Sequence, residues 1–191
     1  MTRIVVLVIG LAVLVVGAVS LTGSVVPGAA VSEQITESFF MTPGESLRVQ
    51  TANGRLTYEA WDGDEVVIEA TRIRSRFMSD LIRRFWGEAT VTIERTDGGV
   101  EATAEWPRRL FGGNWHDRVQ FHVKVPRGWH GVVDLRTSNG AIVASDIHGD
   151  VSVRTSNGAI TLTGHEGTLV ARTSNGPIRL SDVHGKVEAR T

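Results

Sequence analysis

A five-residue phrase, Arg-Thr-Ser-Asn-Gly, begins at Arg136, Arg154 and Arg172, so each copy starts 18 residues after the last. A fourth copy opens at Arg190-Thr191, where the sequence stops. The residues between the copies keep the same period. Gly149, Gly167 and Gly185 hold one phase, Ile142, Ile160 and Ile178 a second, and Val133, Val151, Leu169 and Val187 a third. A constant period of this length implies stacked units, each burying its apolar side chiefly against its neighbours. It also weighs against catalysis, because an active site needs unlike side chains converging once.

Within one unit Val133 and Leu135 are expected to face a core, and Asp134 and Arg136 to face water, as in a half-buried strand. The pairs Asn139-Gly140, Asn157-Gly158 and Asn175-Gly176 are read as turns, since Asn and Gly tolerate φ > 0. A second turn is expected near His148-Gly149. Two all-β architectures fit. In a right-handed β-solenoid each period completes one coil and equivalent residues stack about 4.8 Å apart. In an antiparallel β-meander or prism each Asn-Gly closes a hairpin. The invariant period favours the solenoid, because a coil that changed length would lose its ladder and a meander has no such constraint.

Stacking gives the repeated polar residues a structural role. Asn139, Asn157 and Asn175 are expected to form an amide ladder. Thr137, Thr155 and Thr173 suit strand ends, and Arg136, Arg154, Arg172 and Arg190 form an outward column partly offset by Asp134 and Glu188. A degenerate early copy occupies 46–63, with Asn53-Gly54 in the place of the later Asn-Gly pairs. Between the early and late copies, strands are expected over 65–74, with Val66, Ile68 and Ala70 on one face, and over 119–125, ended by Pro126. Two more, 90–95 and 100–106, are joined by the hairpin signal Thr96-Asp-Gly-Gly99. Residues 75–89 carry Phe77, Leu81, Ile82, Phe85 and Trp86 at helical spacing and predict a short helical insertion. Trp106, Phe111 and Trp115 belong to a loop region and are expected to pack beneath it.

The first 30 residues differ from the rest. No charge occurs between Arg3 and Glu33, and 4–26 is apolar throughout, long enough to cross a hydrocarbon core of about 30 Å as a helix. The division is therefore 1–30 as a single-pass anchor and 31–191 as the repeat domain, joined by a linker at about 31–37. Arg3 before the span and Glu33 and Glu37 after it place the N-terminus in the cytoplasm and the domain outside the cell membrane. The alternative is a signal peptide cut near Pro27-Gly-Ala-Ala30, which would release the domain as a secreted protein.

Chemistry is sparse. The chain has no cysteine, which excludes disulfides, thiolate metal sites and thiol nucleophiles, and its net charge of −1 gives no case for nucleic acid. There is no Gly-x-Ser-x-Gly elbow, phosphate loop or His-Glu-x-x-His pattern, and Ser138, Ser156 and Ser174 are identical copies. The expectation is a non-enzyme without cofactor. His148, Glu166 and His184 share one repeat phase, but ends about 9–10 Å apart across two rungs favour a solvated turn over a metal site. The arginine column is the candidate face for an anionic cell-surface polymer, beside the simpler reading of a solvated sheet face.

The Ser-Asn-Gly-x-Ile units, the Asp-[Ile/Val]-His-Gly turns and the Val123-Lys-Val-Pro126 strand resemble the bacterial “putative adhesin” β-repeat family, a domain of unknown function. The resemblance covers about 32–191. It implies an N-terminal membrane segment or signal, an extracytoplasmic β-repeat domain, and no catalytic residues. The expected function is adhesion, ligand binding or scaffolding at the cell envelope. The alternative is an accessory of envelope-stress signalling that acts through membrane protein partners. Because the fourth copy stops at Thr191, a strand edge with Val187 and Ala189 is expected to be open, through truncation or for edge-to-edge self-association.

Overall fold

The computed structural model describes residues 31–74, 89–106 and 118–191, which fold as an all-β unit. The strands are β1 (Val31–Phe39), β2 (Ser46–Thr51), β3 (Leu56–Trp61), β4 (Val66–Arg74), β5 (Thr90–Thr96), β6 (Gly99–Glu105), β7 (Arg118–Pro126), β8 (Gly131–Thr137), β9 (Ile142–Thr155), β10 (Ile160–Thr173) and β11 (Ile178–Arg190). Among the described residues no helix is long and apolar enough to cross a membrane. The expected span at 4–26, most of the helical insertion at 75–89, and the aromatics Phe111 and Trp115 lie outside the described residues.

The sequence period becomes a strand register. Ile160 pairs with Ile142 and with Ile178, and Arg172 pairs with Arg154 and with Arg190, all in parallel. β8 joins the same series through Val133↔Val151 and Leu135↔Val153. The early copy continues it, since β2 pairs with β8 through Leu47↔Val133 and Thr51↔Thr137. Parallel pairing through β8, β9, β10 and β11 overturns the meander alternative. A hairpin at each Asn-Gly would have made neighbours antiparallel.

Each long strand has two arms. Residues 142–145 of β9 pair with β3, whereas 149–155 pair with β8. The bend between the arms falls at Asp146 (φ 51°), Gly164 (φ 71°) and Asp182 (φ 51°), which occupy equivalent places in successive units. Left-handed backbone is costly for most L-residues and better tolerated by aspartate. This one residue breaks the two-residue alternation, so that Ala144 and Ile147, three apart, are both buried. The expected second turn at His148-Gly149 thus begins earlier, at the aspartate.

Two series of strands meet along these bends. One runs β5-β6-β2-β8 into the second arm of β9, and the other runs β1-β4-β7-β3 into the first arm. The core lies between them. Leu47, Val49, Val133, Leu135 and Val153 come from the first series, and Leu56, Val66, Ile68, Phe121 and Ile142 from the second. Local patterning explains these strands. β2 and β7 alternate buried and open residues along their length, and β7 ends at Pro126. The hairpin at Thr96-Asp-Gly-Gly99 forms as expected, with Thr96 opposite Gly99.

Residues 31–37 are not a linker. They belong to β1, antiparallel to β4 with Ile35 opposite Ala70 and Phe39 opposite Val66. Their polar composition disguises a strand in which Ile35 and Phe39 pack against the core. Between them Glu37 sits opposite the fully buried Ile68, and burial pushes its carboxyl above the ordinary range. An inward acid on the outermost strand discourages a further strand from adding there. At the other end, among the described residues, β11 pairs only with β10, leaving Ile178, Leu180 and Val183 half-buried and Val187 43 % exposed.

Candidate functional site

The corner where each unit passes from its second-arm strand to the next first-arm strand is built by the repeated Thr-Ser-Asn-Gly. Neither Asn139, Asn157 and Asn175 nor Gly140, Gly158 and Gly176 adopt positive φ among the described residues, so the expected turn chemistry is absent. The glycines are there for space. A Cβ on Gly158 would lie 1.9 Å from the carbonyl oxygen of Gly140, and one on Gly140 would lie 1.9 Å from that of Gly54. One on Gly176 would lie 2.0 Å from the oxygen of Gly158. Gly149, Gly167 and Gly185 form a second column, where a Cβ would stand 2.1–2.3 Å from the preceding glycine's carbonyl oxygen. These have φ of +101°, +133° and +121°, so there both space and backbone conformation require glycine.

Close approach brings the polar groups together. The hydroxyls of Thr137, Thr155 and Thr173 donate to the carbonyls of Gly54, Gly140 and Gly158 at 3.0–3.1 Å. The amides run as a ladder: Asn139 Nδ2 donates to Asn53 Oδ1, Asn157 to Asn139 and Asn175 to Asn157, each at 2.8 Å. Asn157 and Asn175 are exposed, and so are Ser138, Ser156 and Ser174. The corner therefore presents a polar row to solvent, while its threonines are buried.

At the foot of the ladder the repeat gives way to β7. Val119 N–H donates to Asn53 C=O at 2.8 Å, and Gly54 lies against the Val119 carbonyl. This places Arg118 and Gln120 beside Arg55 and opens a cavity of about 540 Å³ lined also by Asn53, Asn139 and Gly140. Arg55 and Arg118 are exposed, and neither makes an ion pair or side-chain hydrogen bond among the described residues. Sequence reasoning missed this pair. The signal was present only in part, as the shared phase of Asn53-Gly54 with the later copies.

The arginine column is in register but unevenly charged. Arg136 is held by Asp134 at 2.7 and 2.8 Å, and Arg172 donates to Glu188 at 2.6 Å. That bond and the Arg172 charge hold the Glu188 carboxyl below its ordinary range. Arg154 and Arg190 have no such partner among the described residues. On the opposite outer face His122 contacts Glu59 at 2.9 Å, and Lys124 donates to Glu69 at 2.8 Å, a local cluster whose charges offset one another.

His148, Glu166 and His184 are register neighbours, and among the described residues no three His, Asp or Glu side chains are placed to hold a metal ion. His165 differs from them, because it is buried at the position between Ile147 and Val183. Its Nδ1 donates to the Ile147 carbonyl at 2.8 Å, while its Nε2 is buried without a partner.

No family model and no curated protein matches this sequence. Among solved crystal structures the chain is similar to a “putative cell adhesion protein” of Clostridium sporogenes ATCC 15579, at 10 % identity and a TM-score of 0.37, covering 81 % of this chain and 97 % of that one. It is similar also to a “putative adhesin” of Bacteroides fragilis NCTC 9343, at 10 % identity and a TM-score of 0.26, covering 83 % and 97 %. A third, a “putative adhesin” of Parabacteroides merdae ATCC 43184, has 11 % identity and a TM-score of 0.26, covering 85 % and 96 %. TM-scores this low leave the architecture to the strand registers, and the three likenesses are distant ones to proteins named for adhesion.

Proposed function

We propose that the chain is a non-enzymatic cell-envelope protein whose β-repeat body, a right-handed β-solenoid, is held outside the membrane by residues 1–30 and serves adhesion, ligand binding or scaffolding. The observation that supports this most is the constancy of the rungs. From β8 to β11 the same residues meet at the same offset, Arg136, Arg154, Arg172 and Arg190 in one column and Gly131, Gly149, Gly167 and Gly185 in another. A stack of this kind repeats its surface groups at about 4.8 Å, which suits an extended partner better than a reaction at one point. The parallel crossovers of such a stack are right-handed as a rule.

The anchor is supported by the charge pattern, with Arg3 before the apolar segment and acids after it. Protease added to intact cells, with any outer layer opened, is expected to digest the body and leave a membrane-bound N-terminal fragment. A body protected from protease overturns the orientation. Recovery of the whole body in the medium, lacking residues 1–30, replaces the anchor with a cleaved signal.

A further inference from the structure

The groove at the foot of the asparagine ladder brings two exposed arginines into one concavity. Among the described residues several other arginines are neutralised: Arg48 by Glu101 and Asp134, Arg95 by Glu45, Arg127 by Asp62, Arg136 by Asp134 and Arg172 by Glu188. Arg55 and Arg118 line one cavity together, with no carboxylate beside them among the described residues. Two like charges in a shared concavity repel, and an anion placed between them relieves that repulsion. Arg154, Arg179 and Arg190 also make no ion pair among the described residues, but Arg154 and Arg190 stand on a sheet face whose neighbouring positions carry Asp134 and Glu188, and the charge of Arg190 acts on Glu188.

The remaining lining identifies the kind of anion. Gln120 and Asn139 contribute carboxamides, and among the described lining residues no side chain is more apolar than that of Ala141. These side chains favour a polar ligand over a lipid chain or an apolar peptide side chain. Each amide has two N–H donors and an oxygen with two lone pairs. The two ladder bonds of Asn139 use one donor and one lone pair, which leaves a second N–H and a second lone pair. Hydroxyl groups match such donors and acceptors, and a carboxylate matches the planar fork of a guanidinium. The volume of about 540 Å³ is in the range of small-ligand sites. Above the groove the exposed Ser138, Asn157, Ser156 and Asn175 continue a polar track along which a chain of sugars could extend.

We propose that this groove binds an acidic saccharide, with Arg55 and Arg118 taking the carboxylate and Gln120 and Asn139 the hydroxyls. The inference rests on the reading of the domain as a binding module and names its ligand class. Its test is calorimetric titration of the full chain in detergent micelles with oligogalacturonate, a neutral galactose oligomer of equal length and a glycerol-phosphate oligomer. The acidic saccharide should bind, the two others at least about tenfold more weakly, and the affinity should fall as salt is raised. Arg55→Ala and Arg118→Ala should each lose about tenfold or more, because each removes charge-assisted hydrogen bonds, with the circular dichroism spectrum unchanged. Arg154→Ala should bind like the parent. Equal binding of the neutral oligomer, preference for the phosphate oligomer, or loss confined to Arg154→Ala would each overturn the inference. No binding of any oligomer would overturn it too. In that case a body found outside the membrane by protease would leave the envelope reading intact.

Discussion

Gly158→Ala should cost about 3 kcal/mol or more and unfold the repeat region at temperatures where the parent chain stays folded. The added Cβ would stand 1.9 Å from the Gly140 carbonyl oxygen and 2.5 Å from its carbon. Both are backbone atoms, so no rotamer change relieves the clash. The rungs must separate instead. Separation stretches the Asn157–Asn139 bond at 2.8 Å and the Thr155–Gly140 bond at 3.0 Å, so one methyl group acts on a whole corner. Gly158 has no positive φ, which makes the cost steric rather than conformational. Gly128→Ala provides the contrast, since nothing lies within 4 Å of its Cβ position and only its φ of +100° opposes the change. Its cost should be about 1 kcal/mol. Urea unfolding of both variants measures the difference. Equal losses would show that close stacking at this corner does not require glycine.

Ile160→Ala is the second large effect, at about 2–5 kcal/mol. Ile160 is fully buried, with Ile142 on one side in the sheet and Ile178 on the other. Truncation there leaves a cavity that fixed backbone on both sides cannot collapse. Ile178 is the same residue in the same repeat phase, but among the described residues no further strand pairs with β11, and Ile178 is only half-buried. Ile178→Ala should therefore cost roughly half as much or less. The comparison holds side-chain chemistry constant and varies only the number of stacked neighbours. Urea midpoints measured on the two variants decide it, and equal costs would contradict the stacking order.

What the sequence made legible was whatever local chemistry or the period itself encodes. The alternation Val119, Phe121, Val123, Val125 announces β7, and Asp97-Gly98 announces its hairpin, because both are decided by adjacent residues. The period revealed which residues share a column, since identical units meet identical partners. The bend at Asp146 was not legible, because a single left-handed residue shifts the phase between Ala144 and Ile147, and only one of the three equivalent places, Gly164, carries a glycine to mark it. β1 was hidden for a related reason: Glu37 occupies an inward position and breaks the pattern between Ile35 and Phe39. The role of Gly140, Gly158 and Gly176 was misread as a turn requirement, because contact between rungs leaves no signature distinct from local flexibility. The pairing of Arg55 with Arg118 depends on the parallel register Leu56↔Phe121, which joins distant segments and has no local signal.

The central claim is that successive units stack in parallel, each residue against its equivalent one repeat away. The chain contains no cysteine, so introduced pairs report without background. Arg154 and Arg172 are register partners in neighbouring parallel strands, about 4.8 Å apart and within the range that a disulfide spans. Arg154 and Thr161 would face each other only if Asn157-Gly158 closed a hairpin. Oxidation of the double variant Arg154→Cys/Arg172→Cys should give rapid intramolecular cross-linking, and Arg154→Cys/Thr161→Cys should give little. The reverse order of rates would contradict the parallel stack, and the glycine corner and the groove built on it would fall with it.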